Sequence, residues 1–263
     1  MKLIKDFENY LRYRNLSENT IVRYLQLIHK FIGSVGEKEN YTKQDVINFI
    51  ANAKACGAYN RYSYYVLKSF FGSKDWKWEF NPKESPKTSD PYMPMLSWEQ
   101  AMKMLEYARN TPRDYAIIRI FIVGGIRRNE MVNIKLIDYK APILHIKTLK
   151  NNYPRDIELD PDTIRAIDNY IKVRTSQSEL LFEGISVTMV SMIFRYYAGR
   201  VGLKKGGCHA LRRSYETWLY TAGMTIKEIN QEMGYKTDMA SHYVQIDNKE
   251  IKAKVKKAHP FFN

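Results

Sequence analysis

The stretch that decides the fold spans residues 208–243 and reads CHALRRSYETWLYTAGMTIKEINQEMGYKTDMASHY. It contains two helix-like segments, which are interrupted at Gly223 and Gly234. If the first helix begins at His209, Arg212 lies one turn later on the same face, because residues three apart on a helix are neighbours. The imidazole and the guanidinium can then hold one anionic oxygen together. Alone, such an H-x-x-R tetrad is more often an ordinary helix with a solvated arginine.

Composition limits the class of protein. A chain of 263 residues is long enough for two domains, each with its own core. No apolar run approaches the ~20 residues that span a bilayer, and Asp6 and Glu8 lie where a signal peptide would be apolar. We therefore expect a soluble, cytoplasmic protein with no membrane partner.

Cysteine and histidine patterns argue against a disulfide framework and a metal site. Cys56 and Cys208 lie far apart in the chain, which predicts two free thiols. The histidines lack the H-x-x-x-H and H-E-x-x-H spacings of zinc enzymes. We expect no metal and no other cofactor.

The charge balance indicates a polyanionic partner. Lysine and arginine number 42 against 28 acidic residues, for a net charge of +14. A basic surface of this kind attracts a phosphate backbone by releasing counterions. The basic residues are dispersed along the chain instead of lining one face of an amphipathic helix, so nucleic acid is favoured over a membrane surface.

The first part of the chain predicts a small helical domain over residues 1–82, with four helices and N-cap signals at Ser17 and Thr42. The proline-rich residues 83–95 predict a linker, and residues 96–263 a second domain. The basic side chains left outside the helical core are candidate DNA contacts: Arg12, Arg14, Arg23, Arg61 and Lys68. Each of these residues alone is more typical of a solvated face. The tyrosines among residues 59–65 are suited to contact with sugar and phosphate, but they fit a core stripe equally well.

The second domain begins with a helix capped by Ser97, followed by a helix from Pro112 that is apolar nearly all round and is therefore predicted to be buried. Two glycines interrupt it just before Arg127, where they permit close backbone approach and determine where that arginine points. Glu130, three residues on, can orient the guanidinium. As an isolated signal this pattern fits a structural role equally well.

A β-hairpin is predicted next. Two short β-like runs, residues 143–146 and 155–159, flank a segment with the turn pair Asn151-Asn152. Lys147 and Lys150 lie near its tip, where a lysine can reach a neighbouring site but is more often simply solvated.

These features together form one pattern, which is more specific than any of its parts. The segments GGIRRNEM and HALRRSYET, with a tyrosine after them and a lysine on a hairpin before them, resemble the tyrosine recombinase (phage-integrase-like) superfamily, in particular its Xer-like and archaeal or viral integrases. The resemblance covers nearly the whole chain. It implies a mainly α fold with a small β-hairpin sheet, in which a helical, SAM-like core-binding domain precedes an α+β catalytic domain.

Carried over residue by residue, the resemblance implies one set of catalytic positions with Glu130 as support: Arg127, Lys150, His209, Arg212, Tyr235 and Tyr243. Lys150 fits the family's spacing to the returning strand better than Lys147 does. Tyr235 departs from the family, which usually has histidine or tryptophan there. A phenol can still donate one hydrogen bond, so we expect Tyr235 to bond a non-bridging phosphate oxygen.

The resemblance also implies the reaction. Tyr243 would attack a DNA phosphate to form a 3′-phosphotyrosine, without metal or ATP, and a homo-tetramer would act on double-stranded DNA carrying a specific site. Two alternatives stay open: a non-catalytic DNA-binding protein on the same fold, and a type IB topoisomerase-like enzyme that relaxes supercoils. A last helix after Tyr243 would dock on a neighbouring protomer or on its own domain.

Overall fold

The computed structural model describes residues 2–53, 55–87, 94–147, 153–175, 177–203 and 207–240. The chain divides into two compact units, Met1–Tyr92 and Met93–Asn263. Within the described residues, no helix has both the length and the apolar character needed to cross a membrane. The predicted last helix lies outside the described residues.

The first unit is helical, as predicted. Ser17 accepts a hydrogen bond from the backbone of Thr20, and Thr42 forms a capping box with Asp45, which confirms both N-caps. The fourth helix begins at Gly57, after Cys56, and no side chain caps it by a hydrogen bond. The helices are α1 (Lys2–Tyr13), α2 (Glu18–Val35), α3 (Lys43–Asn52) and α4 (Gly57–Gly72).

Aromatic side chains dominate the core of the first unit. Phe7 meets Phe70 edge-on at 5.1 Å between ring centroids, and Phe31 lies 4.9 Å from Tyr41. Trp76 closes the cluster 5.5 Å from Phe70. These rings bury a large apolar area in a short chain. The basic side chains of this unit are not part of the core.

The second unit surrounds a buried helix. The helix from Pro112 is buried nearly all round, as its composition predicts, and Ser97 caps the helix before it through Gln100. The helices are α5 (Trp98–Ala108), α6 (Pro112–Gly124), α7 (Arg128–Met131), α8 (Pro161–Val173), α9 (Val187–Arg200), α10 (His209–Thr221) and α11 (Ile226–Glu232).

The predicted hairpin belongs to a three-stranded antiparallel sheet in the order β1 (Tyr139–Lys140), β2 (Ile143–Ile146), β3 (Arg155–Glu158). Leu144 pairs with Ile157, and both are buried. The strand β1 was missed, because two residues are too short to show an alternating pattern.

The junction after α6 depends on two glycines. A Cβ on Gly124 would lie 2.3 Å from Cδ1 of Ile157. Gly125 has a φ of +52°, and a Cβ there would lie 2.5 Å from Cδ1 of Tyr215. The break thus brings the α6–α7 junction against both β3 and α10, as the close backbone approach predicted from the sequence requires.

We expect Gly125→Ala to lower the free energy of unfolding by about 2–4 kcal/mol, because it combines left-handed backbone strain with overpacking against an aromatic ring. The exposed Gly199, inside α9, has no atom within 4 Å of its virtual Cβ. Gly199→Ala should therefore stabilise by about 0.5–1 kcal/mol through helix propensity. Urea denaturation of both variants measures the contrast, and equal effects would contradict it.

Candidate active site

Arg127 is held by the short helix that it caps. Its backbone N–H donates to Oε2 of Glu130 at 2.8 Å, and its Nη1 donates to Oε1 of the same carboxylate at 2.9 Å. The side chain of Arg127 is 26% exposed, whereas that of Glu130 is 2% exposed. Glu130 therefore holds one end of the guanidinium and leaves part of it accessible.

Arg155 holds the other side of this carboxylate. Its Nη2 donates to Oε2 of Glu130 at 3.2 Å from a nearly buried position on β3. Burial raises the pKa of Glu130, but the charge of Arg155, the backbone N–H of Arg127 and the charge of Arg212 outweigh burial and lower that pKa to about 2. Glu130 is thus a carboxylate throughout the physiological range.

Arg212 is 2% exposed and lies on α10. Its Nη1 donates to the carbonyl oxygen of Gly125 at 2.6 Å, and its Nε donates to the hydroxyl oxygen of Tyr235 at 3.1 Å. Its Nε also lies 3.3 Å from Oε1 of Glu216. The backbone after α6 therefore serves both arginines: the carbonyl oxygen of Gly125 accepts a hydrogen bond from Arg212, and Arg127 follows two residues later.

The two arginines lie beside one aromatic ring. The Cζ atoms of Arg127 and Arg212 lie 5.4 Å and 5.0 Å from the ring centroid of Tyr235. The Nη2 atom of Arg212 is buried and has no hydrogen-bond partner among the described residues. A buried donor without a partner carries a desolvation cost, and an anionic oxygen would relieve it.

Tyr235 differs from its expected role. It is 7% exposed, and its hydroxyl donates to Oε1 of Glu216 at 2.7 Å. A phenol has a single hydrogen to donate, so in this arrangement the expected hydrogen bond to a phosphate oxygen is not available. Burial raises the pKa of Tyr235, and the hydrogen bond to Glu216 acts in the same direction.

Sequence reasoning missed Glu216 and Arg155. Glu216 is completely buried one turn after Arg212, and burial raises its pKa although Arg212 and Tyr235 oppose that shift. Its spacing of four from Arg212 could have revealed the pair. Arg155 lies two residues before the buried Ile157, so both side chains share one face of β3, and this period of two could have placed Arg155 on the inner face.

His209 begins α10 and is exposed at the surface. Crowding by surrounding protein atoms, followed by the positive charges of Arg212, Arg213, Arg128 and Arg127, lowers the pKa of its imidazole to about 4. His209 is therefore neutral at pH 7 and can accept a proton. Four arginines thus contribute positive charge at this position, in addition to the effect of crowding.

Two predicted site residues, Lys150 and Tyr243, lie outside the described residues. The alternative lysine, Lys147, is described and exposed, and its Nζ pairs with Oδ1 of Asp138 at 2.8 Å. This ion pair directs Lys147 towards the segment before β1.

The candidate DNA contacts of the first unit are all exposed: Arg12, Arg14, Arg23, Arg61 and Lys68. Arg12 is paired with Glu8 and Glu18, so its charge is partly neutralised. Arg23 lines a shallow groove between α2 and α4 together with Lys30, Tyr59 and Tyr62.

The tyrosines of α4 divide between the two roles that the sequence left open. Tyr64 is buried at 3% exposure, whereas Tyr65 is 46% exposed. The guanidinium carbon of Arg61 lies 5.9 Å from the centroid of the Tyr65 ring. One tyrosine therefore serves the core, and the other lies beside a surface arginine.

Comparison with known proteins identifies the family. Residues 94–250 match the model of the phage integrase family. Tyrosine recombinase XerA of Pyrococcus furiosus is 26% identical over 98% of this chain and 94% of its own length. Tyrosine recombinase XerD of Listeria monocytogenes is 26% identical over 98% of each chain.

Solved structures show the same fold. A lambda integrase dimer bound to a COC′ core site matches 94% of this chain and 96% of its own with a TM-score of 0.75 at 19% identity. The crystal structure of XerA recombinase matches 99% of this chain and 99% of its own with a TM-score of 0.57, also at 19% identity.

The low pKa of Glu130 predicts an acid-dependent contribution to stability. A depressed folded-state pKa stabilises the protein above the unfolded pKa of about 4.5 and loses that effect as the pH falls towards about 2. Glu130→Gln should therefore cost a few kcal/mol at pH 7 and progressively less between pH 4.5 and 2. Urea denaturation at several pH values measures the difference, and a pH-independent difference would contradict the prediction.

Proposed function

The chain belongs to the phage integrase family, and from this premise we propose that it is a tyrosine site-specific recombinase, which cuts and rejoins double-stranded DNA. The arrangement of Arg127 and Arg212 carries the proposal. Two guanidiniums lie beside one aromatic ring, and the more buried one has a nitrogen without a partner in the described part of the chain. Such a site suits a phosphodiester, whose non-bridging oxygens can be held by two guanidiniums.

The proposed reaction begins with Tyr243. Its phenolic oxygen attacks phosphorus, the bond to the 5′ oxygen breaks, and a 3′-phosphotyrosine preserves the bond energy for resealing. Charge accumulates on the non-bridging oxygens in the transition state. Prepositioned donors such as Arg127 and Arg212 stabilise this charge, and removing one donor from comparable oxyanion sites costs roughly 100- to 1,000-fold in rate.

Proton transfer is assigned to His209 and Lys150. The neutral His209 can take the proton of the attacking tyrosine, and the charges of Arg212 and Arg213 that lower its pKa would be offset by a bound phosphate. Lys150 would give a proton to the leaving 5′ oxygen. The ion pair of Lys147 with Asp138 supports the choice of Lys150 over Lys147.

DNA is the proposed partner of both units. The net charge of +14 supports binding through the phosphate backbone, and the solved lambda integrase structure contains a DNA core site. In the first unit we propose Arg14, Arg23, Arg61 and Lys68 as backbone contacts, with a weaker share for Arg12, because Glu8 and Glu18 compete for its guanidinium. A lambda integrase tetramer bound to a Holliday junction supports a homo-tetramer on DNA.

We expect Tyr243→Phe to bind DNA as wild type does and to form no covalent adduct. Suitable substrates are nicked duplexes built on a sequence that the protein selects from a random library. The adduct is measured as a denaturant-stable shift on a gel and located by peptide mass spectrometry. Tyr196→Phe, which alters a 60% exposed tyrosine on α9, is the control and should cleave normally.

An adduct at another tyrosine would refute the assignment of Tyr243. Absence of an adduct in the wild-type protein would favour a non-catalytic DNA-binding protein. Relaxation of supercoiled plasmids that lack the selected sequence would favour a topoisomerase-like activity.

We expect Lys150→Ala to cleave slowly and to recover on a substrate whose bridging 5′ oxygen is replaced by sulfur, because a thiolate leaves without protonation. Single-turnover cleavage of the two substrates measures the recovery. Lys147→Ala, on the same connection, is the control and should cleave both substrates at rates near those of wild type. Sulfur rescue of Lys147→Ala instead would move the general acid to Lys147.

A further inference from the structure

We propose that Glu216 is a positioning residue for Arg212, and that Tyr235 acts together with it through Arg212 instead of contacting the DNA. Both residues would serve the reaction by holding one guanidinium in a fixed direction. This inference rests on the proposed recombinase function.

The three side chains form a closed set of contacts. The Tyr235 hydroxyl donates to Oε1 of Glu216 at 2.7 Å and accepts from Nε of Arg212 at 3.1 Å. The same Oε1 lies 3.3 Å from Nε of Arg212. None of the three is more than 7% exposed, so water competes little for these hydrogen bonds and their geometry is well defined.

This set determines the direction of the remaining guanidinium nitrogen. Nε of Arg212 is held by Tyr235 and Glu216, and Nη1 is held by the carbonyl oxygen of Gly125 at 2.6 Å. Because a guanidinium is planar, two held nitrogens determine its plane. Nη2, which has no partner in the described ranges, is then presented in one direction.

The chemistry of the phenol argues against a direct contact with phosphate. Tyr235 has one hydrogen, which it donates to Glu216. Its remaining lone pairs can only accept hydrogen bonds, and the non-bridging oxygens of a phosphodiester are acceptors as well. Tyr235 can therefore affect such a phosphate only through the donors that it positions.

Charge explains why an acid is required behind Arg212. The charges of Arg127 and Arg155 both act on Arg212, and like charges disfavour burial of another cation. Glu130 is engaged by Arg127 and Arg155 through hydrogen bonds. Oε1 of Glu216, which lies beside Nε of Arg212, is therefore the carboxylate oxygen left to compensate this guanidinium, and Nη2 keeps no hydrogen-bond partner among the described residues.

The chain contains a matched pair for comparison. Tyr215 donates its hydroxyl to Oε1 of Glu232 at 3.2 Å and links α10 to the end of α11. This pair is also a tyrosine–glutamate hydrogen bond in the same part of the unit, but neither of its polar groups has a described hydrogen bond to Arg212. Tyr215→Phe therefore removes a similar bond without altering the guanidinium.

The test measures single-turnover cleavage at saturating DNA together with the DNA dissociation constant, using the full chain and the nicked duplex described above. Tyr235→Phe and Glu216→Gln should each slow cleavage by about 10- to 100-fold, because small displacements of a catalytic group cost up to roughly 100-fold. The dissociation constant should change less than about threefold, since backbone contacts elsewhere dominate affinity.

Two comparisons separate positioning from general packing. The double variant should be no more than about threefold slower than the slower single variant, because both changes disturb one unit. Tyr215→Phe should cleave within about twofold of wild type and have a similar thermal midpoint to Tyr235→Phe.

Each other outcome contradicts the inference. A slow Tyr235→Phe with a normal Glu216→Gln would place Tyr235 on the substrate itself, and multiplicative loss in the double variant would mean independent roles. Equal slowing by Tyr215→Phe would indicate a packing effect. Failure of wild type to form an adduct would refute the proposed function, whereas an active wild type with unaffected variants would refute only the positioning role.

Discussion

The site depends on the burial of one guanidinium. Arg212 is 2% exposed, and an uncompensated buried charge destabilises a protein by several kcal/mol. Its neighbours therefore have to supply acceptors at fixed positions. Those acceptors are a backbone carbonyl at Gly125, the hydroxyl of Tyr235 and the carboxylate of Glu216. They tie the α6–α7 junction, the segment after α11 and α10 itself to one another.

The positive charge of the arginines in this site is only partly compensated by acidic side chains. Among the described side chains, three arginines converge here with two buried carboxylates, Glu130 and Glu216. The excess positive charge contributes to the low pKa of His209, about 4, after crowding by protein atoms. An anion that enters would be attracted by charge and by Nη2 of Arg212, which is buried and has no hydrogen-bond partner in the described ranges. An unsatisfied buried donor lowers stability at the position where we propose that a phosphate is held.

Residues from the short helix α7 and from the strand β3 together position Arg127. Glu130 on α7 bonds both the backbone and the guanidinium of Arg127. Arg155 on β3 fixes the same carboxylate from behind. Arg127 therefore remains partly accessible, whereas Arg155 is nearly buried. A partly exposed cation suits contact with a substrate, and a buried one suits support of the carboxylate.

Sequence alone determined the elements whose signals are local. Helix caps at Ser17, Thr42 and Ser97, the buried helix α6 and the pairing of β2 with β3 follow from neighbouring residues. The two glycines before Arg127 and the spacing of His209 from Arg212 identified the candidate site, because each requires only a few consecutive positions. The family resemblance added an implied reaction to these local signals.

Only the tertiary structure decided which groups face one another. Tyr235 and Glu216 are 19 residues apart and share a hydrogen bond, and Gly125 lies 87 residues from the arginine that it holds. No periodicity encodes such distances, because they arise when separate helices pack against each other. Because of this packing, the Tyr235 hydroxyl donates its hydrogen to the buried Glu216, and that hydrogen is not available to a substrate. A phenol has one hydrogen to donate, and its direction is set by the neighbours that folding brings to it.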